Sequence, residues 1–166
     1  MIDAESPLNP YAKHLAGREP LAVLRATPAA LEQTLVAHAH LPDRRPSPGR
    51  WSPREIVCHL ADVELVHGFR LRQTLAQPHH LIQPFDQDAW AGRYAAYDLQ
   101  TALRAFLAVR ALSLALLAAL DAGDVERRLT HPERGEMNLR ILLETFAGHD
   151  LSHLGQLERT WRDLRT

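Results

Sequence analysis

Apolar positions along this chain recur every three or four residues and nowhere alternate with polar ones over a strand length, a pattern that predicts helices. Residues 1–17 read as an extended N-terminal arm with Pro7 and Pro10, followed by a short helical turn over 19–26. Thr27-Pro28 then reads as a threonine N-cap with proline at the first helical position. Leu31, Leu35 and Val36 carry a stripe from there, so a helix is expected over 28–39. Ser52-Pro53-Arg54-Glu55 is a capping box. It opens a helix over 53–76 with Ile56, His59, Leu60, Val63, Val66 and His67 on one broad face. A long connection over 77–97 contains a short helix near 88–93, in which Trp90 should pack down. Asp98 caps a third long helix over 98–120. The segment His131–Gly135 reads as a turn leading to Asn138, the cap of a last helix over 138–163. The fold class expected is all-α: a four-helix bundle whose long connections permit crossovers.

Composition supports this reading and narrows the function. At 166 residues the chain fits one domain, 1–166, with a sizeable core, and its 46% of hydrophobic residues is dominated by Leu and Ala. The formal charge is −1, and the arginines that make up nearly all of the basic residues are scattered among acids, so no stripe for nucleic acid emerges. Cys58 is the only cysteine, which excludes an internal disulfide and fits a reducing compartment. The first ten residues have no apolar core of signal-peptide length, and the Ala/Leu run at 111–120 is too short to span a bilayer. The expectation is a soluble cytoplasmic protein, with a small-molecule substrate and neither nucleic acid nor membrane as partner.

The candidate chemistry lies in the last helix. His149 and His153 are four apart and therefore share a face, the one that also carries Leu142, Phe146, Leu157 and Thr160. Two imidazoles inside an apolar stripe are costly to desolvate unless something satisfies their nitrogens, and a divalent metal does so directly. His149-Asp150-x-x-His153 can be compared with the HExxH zinc motif, but Asp stands where the general base Glu would be and no histidine follows. The third ligand should come from upstream. His59, on the inward face of its helix, is the best candidate, whereas His67 lies about 12 Å further along and cannot bind the same ion. Three neutral imidazoles without a fourth protein ligand describe an open site, at which water or a thiol is activated. Imidazole donors suit Zn, Ni, Fe or Cu.

Other residues are assigned around this centre. His38 and His40 read as surface residues, Cys58 as a packing residue, and Trp51, Trp90 and Trp161 as core or interface. Arg70 shares the sector of Val63 and Val66 and needs an anionic partner, either an internal acid or a substrate carboxylate. Gln156 is a pocket candidate. Asp62, Glu64 and Asp150 either orient imidazole N–H groups or are solvated acids, with Asp62 the better orienting candidate and Glu64 and Asp150 leaning to solvent. No residue is assigned as catalytic.

The run Trp51-Ser-Pro-Arg-Glu-Ile-Val-Cys-His59-Leu-Ala-Asp-Val-Glu64, the His131-Pro-Glu-Arg-Gly turn and Gly148-His149-Asp-Leu-Ser-His153-Leu together resemble the DinB-like superfamily of bundle metalloproteins. The likeness covers roughly residues 20–164 and is nearest the YfiT-like branch that includes bacillithiol transferases. The family's metal triad maps onto His59, His149 and His153. The resemblance implies a left-handed bundle, often a homodimer, holding Ni or Zn. Members include thiol-dependent S-transferases and isomerases, proteins labelled hydrolases, and many without a known activity. The stripes around the histidines carry no obvious general base. The expected function is therefore metal-dependent transfer of a low-molecular-weight thiol cosubstrate to a small electrophile; the alternatives are a metal-dependent hydrolase and a non-catalytic metal-binding stress-response protein.

Overall fold

The computed structural model describes residues 8–38, 40 and 42–165. In chain order the elements are α1 (Ala12–Leu15), α2 (Pro20–Ala37), α3 (Pro53–Ala76), β1 (His80–Leu81), α4 (Gln87–Ala91), α5 (Leu99–Leu117), β2 (Arg128–His131), β3 (Gly135–Asn138) and α6 (Leu139–Leu164). The four long helices form a bundle in which α3 packs on α5 and α6, and α2 packs on α6 and α5. Consecutive helices α2 and α3 thus lie across a diagonal, as do α5 and α6. Both connections that follow a diagonal cross the bundle, as their length allows.

Local signals fix the helix starts. The Ser52 hydroxyl accepts from Glu55 N while the Glu55 carboxylate accepts from Ser52 N, completing the box. Asp98 and Asn138 accept from the N–H groups of Thr101 and Ile141 at 2.6 and 3.1 Å. The break expected at Thr27-Pro28 does not occur. Residues 20–37 are one helix, with Glu19 capping Leu21 N and Ala22 N and with Pro28 inside. Proline cannot donate to the carbonyl four residues back. That carbonyl, of Leu24, instead accepts from Arg110 Nη1 at 3.0 Å, so a side chain of α5 replaces the missing bond.

Of the expected N-terminal arm, residues 1–7 lie outside the described residues, and the remainder is not extended. It folds into α1, which packs on α6. The connections also hold a small sheet that the helical pattern does not announce. β1 pairs parallel with β2, and β2 pairs antiparallel with β3 around the His131–Gly135 turn, where Gly135 has φ 87°. Leu129 and Met137 from this sheet, and Ile82 just after β1, join the buried core. Trp90 does not pack down as expected. It is 40% exposed, with its ring 5.0 Å from that of Phe85.

The core has two apolar regions. Leu31, Ile56, Leu60, Phe106, Leu157 and Trp161 form one, and Leu24, Leu71, Leu117, Leu139, Leu142 and Phe146 belong to the other. A buried polar layer lies between them. Arg110 there donates to Glu64 at 2.7 and 2.9 Å and to Asp150 at 2.7 and 3.1 Å, as well as to Leu24 O. One guanidinium therefore ties all four long helices together. This corrects the leaning that Glu64 and Asp150 face solvent: both are buried, because a cation from a third helix compensates each carboxylate. By length and composition α5 could cross a bilayer. Its Phe106 and Arg110 are buried in the bundle, while Leu112 is exposed.

Candidate metal centre

The capping box sets the phase of α3 so that His59, seven residues beyond Ser52, points to the bundle axis. α6 presents His149 and His153 from consecutive turns opposite it. The three rings come together with centroids 4.3 Å (His149–His153), 4.6 Å (His59–His153) and 5.1 Å (His59–His149) apart. One nitrogen from each lies within 4.8 Å of the others. His59 Nε2 and His149 Nε2 face each other at 3.0 Å, and Nδ1 of both rings has no hydrogen-bond partner although buried. His153 differs in that its Nδ1 lies 2.7 Å from Gln156 Oε1, an acceptor. That bond places the proton on Nδ1 and frees Nε2 as a ligand.

This donor set fits one divalent ion. A tetrahedral zinc with nitrogen bonds of about 2.0–2.1 Å spaces its donors about 3.3 Å apart, close to the separation of the facing Nε2 atoms. No other group of three such side chains among the described residues is close enough to hold an ion.

Burial keeps the ligands neutral. It lowers the His59 pKa to about 3, with His153 adding to the effect. It also holds His149 and the neighbouring His67 well below the ordinary 6.5. The folded chain without metal thus leaves these rings unprotonated where the unfolded chain would protonate them. More protons bound to the unfolded state means that stability rises with pH across this window. Stability of the chelated protein should therefore be fully present above the unfolded pKa of about 6.5 and fall toward pH 3, by up to ~1.4 kcal/mol per pH unit for each such histidine. Urea midpoints at pH 7, 6 and 5 check this, and a flat series would contradict it.

An open cavity of about 190 Å³ reaches His149, bounded by Tyr11, Val63, His67, Arg70, Phe85 and Arg134 among others. The His67 ring stacks on Phe146 and stands edge-on to His149, with centroids 5.9 Å apart. Tyr11 meets His149 edge-on at 5.1 Å. Gly148 makes this contact possible, because a Cβ there would stand 2.6 Å from Tyr11 O and 2.7 Å from Tyr11 Cβ. Gly148→Ala should consequently displace α1 from α6 even though alanine is the better helix former by about 1 kcal/mol. The expected result is lower thermal stability and faster proteolysis near residue 11; an unchanged or raised Tm would contradict it.

A family model for the DinB superfamily matches residues 23–157. The chain belongs to the DinB superfamily. Among curated relatives, this DinB-superfamily chain is 30% identical over 111 residues to an Oceanobacillus iheyensis protein named "Putative metal-dependent hydrolase", covering 66% of this chain and 64% of that one. A Bacillus cereus protein of the same name is 26% identical over 112 residues, with the same coverage. The chain thus spans just under two thirds of the length of these relatives. The solved structure of YfiT from Bacillus subtilis, described as a probable metal-dependent hydrolase with an unusual four-helix bundle topology, superposes with a TM-score of 0.75. The two share 25% identity and the match covers 86% of each chain.

Within this DinB-superfamily bundle the other expected site residues are distributed unevenly. Arg70 lines the cavity. Gln156 does not; it orients His153 instead. Asp62, expected behind His59, neighbours Tyr94 and makes no hydrogen bond to the imidazole. Cys58 is buried packing, its thiol pushed up to about 11 mainly by burial. His38, expected at the surface, is half-buried and stacks on Trp161, while His40 is exposed. Trp51 covers His59 with rings 4.9 Å apart. Sequence reasoning missed Tyr11, Arg134 and the cavity role of His67. Gly148 inside a long helix was the available signal for the close approach of Tyr11.

Proposed function

We propose that this protein is a metal-dependent enzyme which holds one Ni or Zn ion on His59, His149 and His153 and transfers a low-molecular-weight thiol to a small electrophile. The observation that carries this reading is the convergence of three neutral imidazoles beside a cavity open to small molecules. A divalent ion there would supply Lewis acidity that lowers the pKa of a thiol or water. The chain's own residues hold the site: Gln156 fixes the His153 tautomer, and Trp51 and Tyr11 cover His59 and His149 against solvent.

Proton supply favours thiol transfer over hydrolysis. Ester or amide cleavage calls for an acid that protonates the leaving group. Tyr11, whose ring stands 5.1 Å from His149, has its pKa raised by burial and is a reluctant acid. His67, 5.9 Å from His149, is kept neutral by burial, and Glu133, the acid lining the cavity, is exposed at its rim. In thiol transfer the S–H proton departs to solvent, sulfur forms the new bond to carbon, and the leaving group takes the electron pair. The names of the relatives support hydrolysis as the second reading. The test gives metal-loaded protein monochlorobimane with bacillithiol, mycothiol, glutathione or coenzyme A, beside a panel of esters and amides. Thiol-dependent turnover, lost on chelation and restored by a divalent ion, is expected. Turnover of an ester or amide without thiol would reverse the ranking, and silence in both assays would place the protein in the non-catalytic class.

A further inference from the structure

Arg70 is nine-tenths buried and has no carboxylate partner among the described residues. Its Nη2 donates to the Gln83 carbonyl at 3.2 Å, its guanidinium lies 5.9 Å from the Phe85 ring centroid, and its Nε has no partner at all. A permanently charged group left in this state is costly, and buried arginines are ordinarily compensated by an acid, as Arg110 is here by two. The surroundings of Arg70 make the imbalance larger. Arg134, from the β2–β3 turn, lines the same cavity and adds a second positive charge, whereas His131, from β2, and His67, one turn before Arg70 on α3, have their pKa lowered by burial and supply no counter-charge. His80, buried on β1, also feels its charge. The one acid at this cavity, Glu133, is exposed at the rim.

We propose that Arg70, assisted by Arg134, is a specificity-determining anion site that holds a carboxylate of the small molecule whose reacting group lies at His59, His149 and His153. Arg70 and His149 line one cavity, so a single compact molecule can touch both. A guanidinium with an unused N–H presents the planar donor geometry that a carboxylate matches. Burial first and Arg134 second depress the Arg70 pKa to about 10, which still leaves it charged at neutral pH, and a bound anion would relieve both effects. The site is assembled from α3 and the hairpin, elements remote in sequence, and no internal acid competes for it.

This inference rests on the metal-and-thiol reading for the position of the reacting group, so the experiment separates the two. Cobalt-loaded protein is titrated with mercaptocarboxylates from 3-mercaptopropionate to 8-mercaptooctanoate and with the matching mercaptoalcohols, following the sulfur-to-cobalt charge-transfer band. A band with either series supports thiol binding. The anion site predicts that at least one carboxylate binds about tenfold tighter than its alcohol, the scale of a hydrogen bond to a charged group. That ratio should fall to near unity in Arg70→Gln and shrink in Arg134→Gln, with alcohol affinity unchanged. Arg70→Gln should also keep or raise the Tm, because no internal ion pair is lost, whereas a structural salt-bridge role would lower it. A wild-type ratio near unity, or a ratio that survives Arg70→Gln, overturns the proposal. If no thiol gives a band, the thiol reading fails and the anion site is tested alone with inorganic phosphate and chelated protein in a calorimeter. Heat of binding in the wild type that Arg70→Gln abolishes supports the site, and no binding overturns it.

Discussion

Arg110→Met should destabilise the protein by about 3–5 kcal/mol, the range found when one partner of a buried ion pair is removed and the other charge is left uncompensated. Here two carboxylates, Glu64 and Asp150, would be stranded in the polar layer, each about 4% exposed. The Leu24 carbonyl would also lose its donor next to Pro28. Against a typical total of roughly 5–15 kcal/mol, a loss on this scale leaves little stability, and a large fall in urea midpoint is expected. Adding Glu64→Met and Asp150→Leu to Arg110→Met should recover most of the loss, because an apolar layer of similar volume needs no counter-charge. A fall below about 1 kcal/mol in the single variant, the scale of an exposed pair, would contradict the account of Arg110 as the tie among four helices.

That tie also marks where the sequence stops being readable. The starts of α3, α5 and α6 were legible at Ser52, Asp98 and Asn138, because a cap satisfies N–H groups two or three residues away and needs nothing from the rest of the fold. Thr27-Pro28 carries an equally good local start signal, yet the chain continues through it, since the compensating donor comes from α5, 86 residues from Leu24. Glu64 and Asp150 were misread for the same reason, their partner lying 46 and 40 residues away. The sheet escaped notice because its strands are two to four residues long, too short to show an alternation. The His149–His153 pair could be read from its four-residue spacing within an apolar stripe. The approach of Tyr11 to that pair and the company of Arg134 around Arg70 depend on tertiary contacts that no local pattern encodes.

Alanine at His59, His149 or His153 should remove stoichiometric metal. Each imidazole is one of only three protein donors, and three-ligand open sites have no spare group to take its place. His67, stacked on Phe146, is not within ligand range of the cluster. Loss of metal should carry with it the Tm increase that added Ni or Zn gives the wild type, an effect of about RT ln(1 + [M]/Kd), or about 4 kcal/mol at a thousandfold excess over Kd. Gln156→Ala should be milder, weakening metal affinity by about 10–100-fold, as expected for the partner that orients a ligand rather than for the ligand itself. Metal analysis after gel filtration distinguishes these outcomes. Full metal retention by His59→Ala would show that the third ligand lies elsewhere.

The most direct measurement is anomalous diffraction at the metal edge from crystals of the wild-type protein loaded with Ni or Zn. One dominant peak is expected about 2.0–2.1 Å from an imidazole nitrogen of each of His59, His149 and His153, with Nε2 the ligating atom of His153. A peak centred on other side chains, or fully loaded crystals with no peak at these three, would contradict it.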